Sequence, residues 1–316
     1  MIKNLPFTVI GGYLGAGKTT LLNHLLTNTQ GLRIAVLVND FGSINIDADL
    51  IRSHEGDTIN LSNGCMCCSI ADNFAIIMGK LRERTADLDR IVIEASGVAD
   101  PAKIAQYGQM YQLPLDGILV VTDAEQVSTQ AQNKYVGDTV LRQFTQADLI
   151  ILNKTDLVSA QKLTELRSWL AELASGTPVI ETVLAQVPIE VLLGSHGTQV
   201  AAGSYHNHHF EDNHAHTFET WVLEDSRPVT RAGLEQFAKG LGEEIYRAKG
   251  FVYLEDDPAH CYLYQQVGSR WSLELGNTWG DKLPQTQLVM IGRRGATRSE
   301  VIAALLAGKV SVEVGG

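Results

Sequence analysis

The sequence predicts an α/β fold, in which a first domain with a mostly parallel sheet precedes a smaller α+β domain with an antiparallel sheet. Short β-branched runs alternate with helical stretches from residue 5 to about residue 180. A segment rich in glycine, histidine and asparagine then interrupts this alternation. Beyond it, strands follow one another through short turns, which is typical of antiparallel pairing. We therefore expect a first domain at 1–193, a His-rich linker at 194–216 and a C-terminal domain at 217–316.

Six apolar runs are the predicted strands of the first domain: FTVIGG, RIAVLVND, DTINLSN, RIVIEAS, GILVVTD and LIILNK. Their nearly continuous apolar character suits strands that helices cover on both faces. Between them, TTLLNHLL, NFAIIMGKLRE and QKLTELRSWLAEL have helical spacing. The predicted architecture is therefore a sequence of βα units.

The C-terminal domain is predicted to contain five strands and two helices. The strands are FETWVLE, EIYRAKGFVYLE, CYLYQQVG, RWSLEL and QLVMIG, and the helices are RAGLEQFAKGL and SEVIAALLAG. Cys261 lies in one of these strands, and we expect it to be a core residue because cysteine is among the most buried residue types.

Composition narrows the classes of partner. The chain has 25 Lys+Arg against 36 Asp+Glu and a net charge of -11, without a long basic block. We therefore expect neither nucleic acid nor an anionic membrane as a partner. Three of the four cysteines lie within residues 65–68, which is not the spacing of a disulfide framework. The expected compartment is the reducing cytoplasm.

The segment from Gly12 to Thr19 matches the pattern GxxxxGK[ST], between a predicted strand and a predicted helix. Glycines let successive backbone N–H groups converge on a phosphate, and the helix N-terminus adds unpaired donors. Lys18 would then contact the β- and γ-phosphates, and the Thr19 hydroxyl would bind Mg²⁺. The alternative is a simple glycine turn. The predicted nucleotide-binding residues of this P-loop are Gly12, Gly15, Ala16, Gly17, Lys18, Thr19 and Thr20.

The tetrapeptide NKTD indicates which base is bound. It follows the strand LIIL, at the carboxyl edge where α/β sheets bind ligands. Asp156 could accept hydrogen bonds from guanine N1–H and from its exocyclic amine, a donor pair that adenine lacks. Asn153 would join two loops or contact the base, and the stem of Lys154 would cover the ring. The nucleotide is therefore predicted to be GTP.

An acidic residue ends the strand RIVIE near the P-loop. Glu94 at this position could hold Mg²⁺ or one of its waters, and Gly97 could sense a γ-phosphate in a switch-like segment. The alternative for Glu94 is a solvated strand-end acid. Asp123, which ends GILVVTD, is a weaker second candidate.

Cys65, Cys67 and Cys68 form a cluster that packing alone does not explain. Adjacent Cys67 and Cys68 cannot share one face of a strand, so a loop is needed for all three to converge. Thiolates select Zn²⁺ or Cu(I), and Zn²⁺ usually takes four ligands, so a fourth must come from elsewhere. A buried cysteine cluster and a redox pair are the alternatives, and an iron–sulfur cluster is disfavoured because a fourth cysteine is missing nearby.

The predicted linker carries a second group of metal-binding side chains. Imidazoles in a mobile tract can capture Zn²⁺, Co²⁺ or Ni²⁺ at modest affinity. A solvated linker without a ligand role is an equal alternative. The auxiliary candidates are His206, His208, His209, His214 and His216.

Taken in order, GGYLGAGKTT, NDFG, GCMCC, IEASGVADP and NKTD resemble the CobW-like family of metal-handling P-loop GTPases, and RAKGF and QLVMIG resemble that family's C-terminal domain. The resemblance implies GTP hydrolysis, Mg²⁺, nucleotide-linked homodimerisation and metal delivery to zinc, cobalt or iron client proteins. The family usually reads NEFGE where this chain has Ser43 in place of the second acid. Asp40 therefore becomes the candidate for metal ligation or water activation.

The leading hypothesis is a GTP-hydrolysing metallochaperone that binds a transition metal at the CxCC site and passes it to a client protein. Zinc is the expected metal, with cobalt or iron as alternatives. A metal-sensing or storage protein, in which nucleotide only stabilises the fold, is the second hypothesis. A P-loop kinase is a weaker third, because NKTD specifies a base and no substrate lid is evident.

Overall fold

The computed structural model describes residues 5–38, 58–60, 88–194, 218–280 and 282–295. The chain divides into two compact units, Met1–Leu193 and Gly194–Gly316. Among the described residues, no helix is both long and apolar enough to cross a membrane.

The first unit contains a seven-stranded sheet with the order β3-β2-β4-β1-β5-β6-β7. Every pair of neighbouring strands is parallel. The strands are β1 Phe7–Gly11, β2 Ile34–Val38, β3 Thr58–Asn60, β4 Arg90–Glu94, β5 Leu115–Asp123, β6 Leu149–Asn153 and β7 Val179–Glu181. The helices are α1 Lys18–Thr27, α2 Pro101–Met110, α3 Val127–Gln132, α4 Gly137–Thr145, α5 Ala160–Leu173 and α6 Ile189–Leu193, and a 3-10 turn spans Thr155–Leu157.

The central strands are buried along their whole length, as their apolar sequences require. Side chains from five strands and the flanking helices share one core, which includes Phe7, Ile93, Val120, Ile150 and Phe144. Because the strands are parallel, their carboxyl ends all reach the same edge of the sheet. The P-loop, Glu94, Asp123 and the NKTD segment follow four of these ends.

The residues at the start of helix α2 are ones that favour a helix N-terminus. The Asp100 side chain accepts a hydrogen bond from the N–H of Ala102 at 3.0 Å, and Pro101 occupies the first helical turn. Aspartate at the N-cap and proline at N1 are favoured because they use or remove donors that the helix leaves unpaired. The segment after Glu94 is therefore fixed at its far end by the start of α2.

The second unit contains a five-stranded sheet with the order β11-β10-β9-β12-β8, and all its pairs are antiparallel. Helix α7 packs on one face, where Leu234 and Phe237 join a core with Tyr264, Leu288 and Met290. The elements are β8 Phe218–Asp225, α7 Arg231–Gly240, β9 Ile245–Tyr253, β10 His260–Val267, β11 Arg270–Thr278 and β12 Thr286–Arg293.

The predicted fold class is confirmed, and several details differ from expectation: helices α2, α3, α4 and α6 were not among the predicted helices. Strand β7 was not among the predicted strands, because only three residues pair at the sheet edge. Cys261 does lie in β10, but the expectation of a core position is wrong: it is only partly buried, and its Sγ donates to the Asn277 carbonyl at 3.1 Å. The predicted helices NFAIIMGKLRE and SEVIAALLAG and most of the His-rich linker lie outside the described residues.

Candidate nucleotide site

Two glycines of the P-loop occupy positions where a side chain would not fit. Gly12 has a φ of +135°, and a Cβ added there would lie 2.2 Å from the carbonyl oxygen of Val121. Gly17 has a φ of +108°, and its added Cβ would lie 2.4 Å from Nδ2 of Asn153. Both the backbone angle and the close neighbours therefore require glycine. The sequence therefore builds a tight loop between β1 and α1.

Lys18 begins α1 and folds back over this loop. Its Nζ donates to the carbonyl oxygen of Gly12 at 2.9 Å and lies 3.5 Å from that of Tyr13. Only 8% of the residue is exposed. The next two residues, Thr19 and Thr20, are half-buried and exposed, respectively, in the first turn of the helix. The loop thus combines a fixed positive charge with a helix N-terminus, which is an arrangement suited to a polyphosphate.

Asn153 joins the phosphate side of the site to the base side. Its Nδ2 donates to the carbonyl oxygen of Ala16 in the P-loop at 3.0 Å. Its Oδ1 accepts from the N–H of Ala185 at 2.8 Å, and the residue is 2% exposed. Of the two roles considered for this residue, the geometry describes the one that ties loops together. A single buried amide therefore sets the spacing between two loops.

Lys154 is held in place by an aspartate from the neighbouring strand. Its backbone is in the left-handed region at φ 60°, and its Nζ lies 2.6 Å from Oδ2 of Asp123. Oδ1 of Asp123 accepts from the N–H of Glu125 at 2.8 Å. The Asp123 carboxylate therefore anchors the NKTD lysine whose stem was predicted to cover the base, and it makes this contact with NKTD and not with the P-loop.

Asp156 lies in the 3-10 turn after β6 and is exposed. Its carboxylate makes no hydrogen bond or ion pair with any residue in the described part of the chain. An acceptor with two oxygens is thus available to a ligand at the edge of the sheet. This matches the requirement for a group that accepts from two guanine donors.

A loop that the sequence analysis missed flanks the base side. After β7, the backbone turns through two non-glycine residues with positive φ, Leu184 at 54° and Ala185 at 53°. The Thr182 hydroxyl stabilises this turn by donating to the carbonyl of Gln186 at 3.0 Å. Leu184 remains 65% exposed although its neighbour Ala185 is bound to Asn153. The β-branched letters of TPVIETV were the available signal, but they are too few to define a strand by periodicity.

The opposite side of the P-loop faces the segment after β4. Glu94 ends β4 and is 3% exposed. Gly97 packs so closely on the P-loop that an added Cβ would lie 2.5 Å from Cδ2 of Leu14 and 2.8 Å from its backbone N. The predicted γ-phosphate sensor is therefore in direct contact with the predicted phosphate loop.

Gln143 on α4 anchors this segment, and the sequence analysis did not single it out. Its Nε2 lies 3.1 Å from the carbonyl oxygen of Ala99 and 3.4 Å from that of Gly97, and the residue is 3% exposed. A buried amide in an amphipathic helix carries no motif, so no sequence signal identified it. Its Nε2 is thus a hydrogen-bond donor for two backbone carbonyls of this segment.

Two side chains near the P-loop carry oxygen atoms of the kind that bind Mg²⁺. Mg²⁺ prefers oxygen ligands and is usually held by one or two protein groups together with substrate phosphates. Thr19 and Glu94 supply a hydroxyl and a carboxylate on the two sides of the P-loop. Both belong to elements that end or begin at the same edge of the sheet.

The predicted transition-metal ligands cannot be placed. Asp40, the three cysteines and the histidines of the linker lie outside the described residues. Within the described ranges, no group of three or more His, Cys, Asp or Glu side chains could hold a metal ion. The predicted tight site consists of Cys65, Cys67 and Cys68, and the predicted auxiliary ligands are His206, His208, His209, His214 and His216.

Two parts of the chain match known protein families. Residues 6–181 match the CobW/HypB/UreG nucleotide-binding domain. The chain belongs to the CobW/HypB/UreG family. Residues 218–309 match the C-terminal domain of the cobalamin synthesis protein cobW. The resemblance inferred from the motifs is therefore confirmed for both parts of the chain.

Several curated proteins are similar to this chain over more than half of its length. The zinc chaperone CobW of Pseudomonas aeruginosa is 32% identical over 334 residues, covering 92% of this chain and 88% of that protein. The zinc chaperone YjiA of Escherichia coli is 30% identical over 305 residues, covering 91% and 94%. The zinc-regulated GTPase metalloprotein activator 1 of Schizosaccharomyces pombe is 34% identical over 194 residues, covering 58% of this chain and 47% of that protein.

Proposed function

We propose that this protein is a GTP-hydrolysing metallochaperone that carries zinc and passes it to a client protein. The observation that carries the proposal is the Asn153 junction: this residue of NKTD bonds the P-loop at Ala16 and the loop at Ala185. The carboxylate of Asp156, which is unpaired within the described residues and suits guanine, lies in the turn that follows it. Relatives of similar length are named zinc chaperones, and another relative is named a zinc-regulated GTPase. Both kinds of name agree with a nucleotide site combined with a thiol-rich segment.

In this proposal, the residues of the P-loop side prepare GTP for attack by water. Lys18 contacts the β- and γ-phosphate oxygens and offsets the charge that grows on the leaving GDP. Mg²⁺, when bound, neutralises charge on the same oxygens, and Thr19 and Glu94 are the residues that would hold it or its waters. Water forms the new bond to the γ-phosphorus while the bond to the β–γ bridging oxygen breaks, which yields GDP and phosphate. Asp40 and Glu94 are the candidates to orient that water.

The base side supplies specificity. Asp156 accepts from the two guanine donors, and the Lys154 stem, fixed by Asp123, covers one face of the ring. A base that lacks this donor pair, such as adenine, would leave the Asp156 carboxylate without its two hydrogen bonds, which is the basis for rejecting it.

The metal side of the proposal rests on Cys65, Cys67 and Cys68, with a fourth ligand from elsewhere in the protein. Structural zinc sites bind with about 10 to 16 kcal/mol, whereas coupling between two sites is typically about 1 to 3 kcal/mol. Nucleotide turnover alone would therefore not release zinc into water. Direct exchange of ligands with a docked client is the proposed route of delivery.

The proposal also covers the compartment, the oligomeric state and auxiliary zinc binding. Three closely spaced thiols need to stay reduced to bind zinc, so we place the protein in the cytoplasm. The family resemblance also supports a homodimer whose formation depends on the nucleotide. The histidines of the linker are proposed to hold additional zinc weakly.

Product analysis tests the enzymatic part of the proposal. Purified protein incubated with Mg²⁺ and GTP is expected to release free phosphate and GDP in equal amounts, and zinc-loaded protein is expected to do so at a different rate. Cys67→Ser is the matched variant, because it removes one thiol and leaves every nucleotide contact described above. Phosphate appearing on an acceptor instead of in solution would show a kinase, and absence of any turnover would leave only a nucleotide-stabilised metal-binding protein.

A further inference from the structure

A cavity of about 400 Å³ lies between α2 and α4, beside the segment that follows Glu94. Ile104 and Gln143 are buried at its base, and Tyr107 is half-buried in its wall. Val98, which is 51% exposed, lines the cavity from the segment that follows Glu94. The lining is thus mainly apolar and includes an aromatic ring, in a cavity of a size that accommodates a few side chains.

Two positive charges line this cavity from opposite helices. Lys103 projects from α2 and Arg142 from α4, and both residues are exposed. Neither side chain forms an ion pair or hydrogen bond with a residue in the described ranges. The single acidic residue of the lining, Asp100, uses Oδ1 to accept from the N–H of Ala102. The lining thus carries two cations and one carboxylate, and in a chain with a net charge of -11 this local excess of positive charge beside an apolar floor favours a negatively charged partner.

The same cavity is connected to the nucleotide site through one short segment. Val98, Ala99 and Asp100 line it, and the preceding residue, Gly97, packs on the P-loop. The floor residue Gln143 donates to the carbonyl oxygens of Ala99 and Gly97. A partner in this cavity would therefore touch the residues that were predicted to respond to the γ-phosphate.

We propose that this groove docks a short segment of the client protein that carries a carboxylate beside a bulky apolar side chain. The carboxylate pairs with Lys103 and Arg142, and the apolar side chain covers Ile104, Tyr107 and Val98. A small free anion fits less well, because it would leave the apolar floor in water. This inference rests on the proposed function for the existence of a client, and it adds the surface and the chemistry by which that client is recognised.

The test uses a displayed library of ten-residue peptides, selected on the wild-type protein in the presence of GDP. Enriched peptides are expected to share an acidic residue next to a leucine or an aromatic residue. Reversing both cations in Lys103→Glu/Arg142→Glu is expected to weaken these peptides about tenfold or more, because two favourable pairs become repulsive. The matched control is Lys134→Glu/Lys239→Glu, which changes the net charge equally at two exposed lysines that do not line the cavity.

The outcomes separate this proposal from the proposed function. Loss of peptide binding in the cavity variant and its retention in the control would support the groove, particularly if added salt weakens binding to the wild type. Equal binding to both variants, or enrichment of peptides without an acidic residue, would overturn it. Basal GTP hydrolysis is expected to stay at the wild-type rate in both variants, because none of the four substituted residues belongs to the nucleotide site. Absence of hydrolysis in the wild type would count against the proposed function and not against the groove.

Discussion

The phosphate side and the base side of the nucleotide site are built in different ways. On the phosphate side, glycines with positive φ press against neighbouring backbone and side chains, and Lys18 is almost fully buried. On the base side, Asp156 is exposed, and the adjacent loop positions an exposed Leu184. The first region is shaped before a ligand arrives, whereas the second leaves its recognition groups open to solvent. Catalysis should therefore depend most on the first region, and selectivity between bases on the second.

The largest expected effect comes from the phosphate side. Lys18→Ala should lower the rate of GTP hydrolysis by about 100- to 1,000-fold, because removing one fixed charge or donor at the transition state typically costs that much. Thr19→Ala should also abolish hydrolysis, since it removes a Mg²⁺ ligand. Phosphate release measures both rates, and circular dichroism should show that each variant is folded. A wild-type rate in either variant would refute the P-loop assignment.

The next effect concerns the base side. Asp156→Asn should weaken GTP binding by roughly 10- to 100-fold, because hydrogen bonds to a charged group contribute about 1.5 to 3 kcal/mol. The same variant should bind xanthosine triphosphate better than the wild type does, since the amide offers a donor to the xanthine carbonyl. Calorimetry with GTP and with xanthosine triphosphate measures both affinities in the variant and in the wild type. Unchanged affinity for GTP would remove Asp156 from the site.

Breaking the junction should affect both regions equally. Asn153→Ala leaves the carbonyl of Ala16 and the N–H of Ala185 without their buried partner, which should lower the free energy of unfolding by about 2 kcal/mol. GDP and GTP should both bind roughly tenfold more weakly, because the two loops lose their fixed spacing.

The control for this junction is Asn133→Ala. Asn133 also accepts a backbone hydrogen bond, from Tyr135, but it is exposed and lies outside the site. Denaturant unfolding should show little change for it. Similar stability losses for the two variants would mean that Asn153 is an ordinary structural residue.

The smallest effect should come from Lys154, the lysine proposed to cover the base. Lys154→Ala should weaken GDP and GTP by only about 3- to 10-fold, because its side chain is 34% exposed and its pairing with Asp123 is partly screened. Asp123→Asn should give a smaller loss of the same kind, since the amide oxygen can still accept from the N–H of Glu125. An effect on hydrolysis larger than on binding would place Asp123 in Mg²⁺ chemistry instead, as its position at a strand end first suggested.

The sequence predicted the parts of the site that rest on strong local rules. The P-loop requires glycines in a fixed pattern, and the NKTD segment follows an apolar strand, so both could be located from spacing alone. Asp100 and Pro101 also carry a local signal for the start of α2, as N-cap and first-turn residues.

The loop after β7 and the role of Gln143 could not be predicted, because both depend on which elements the fold brings together. Strand β7 has three residues at the sheet edge, too few for a periodic signal. Gln143 is a single polar residue in a helix. It anchors the segment after Glu94 only because the fold brings the carbonyls of Gly97 and Ala99 beside it. Sequence periodicity reports which face of an element is buried, but not which partner it meets.

Linkage between zinc and nucleotide tests the central claim most directly. Zinc affinity can be measured by competition with a chromophoric chelator in the presence of a non-hydrolysable GTP analogue, of GDP and of no nucleotide. The account predicts that the analogue changes zinc affinity by about 5- to 150-fold and that zinc changes the affinity for the analogue by the same factor. Cys67→Ser should weaken the tight site and erase this linkage while leaving GDP affinity nearly unchanged. Identical zinc affinity under all three conditions would contradict nucleotide-gated delivery and make the zinc a structural ion.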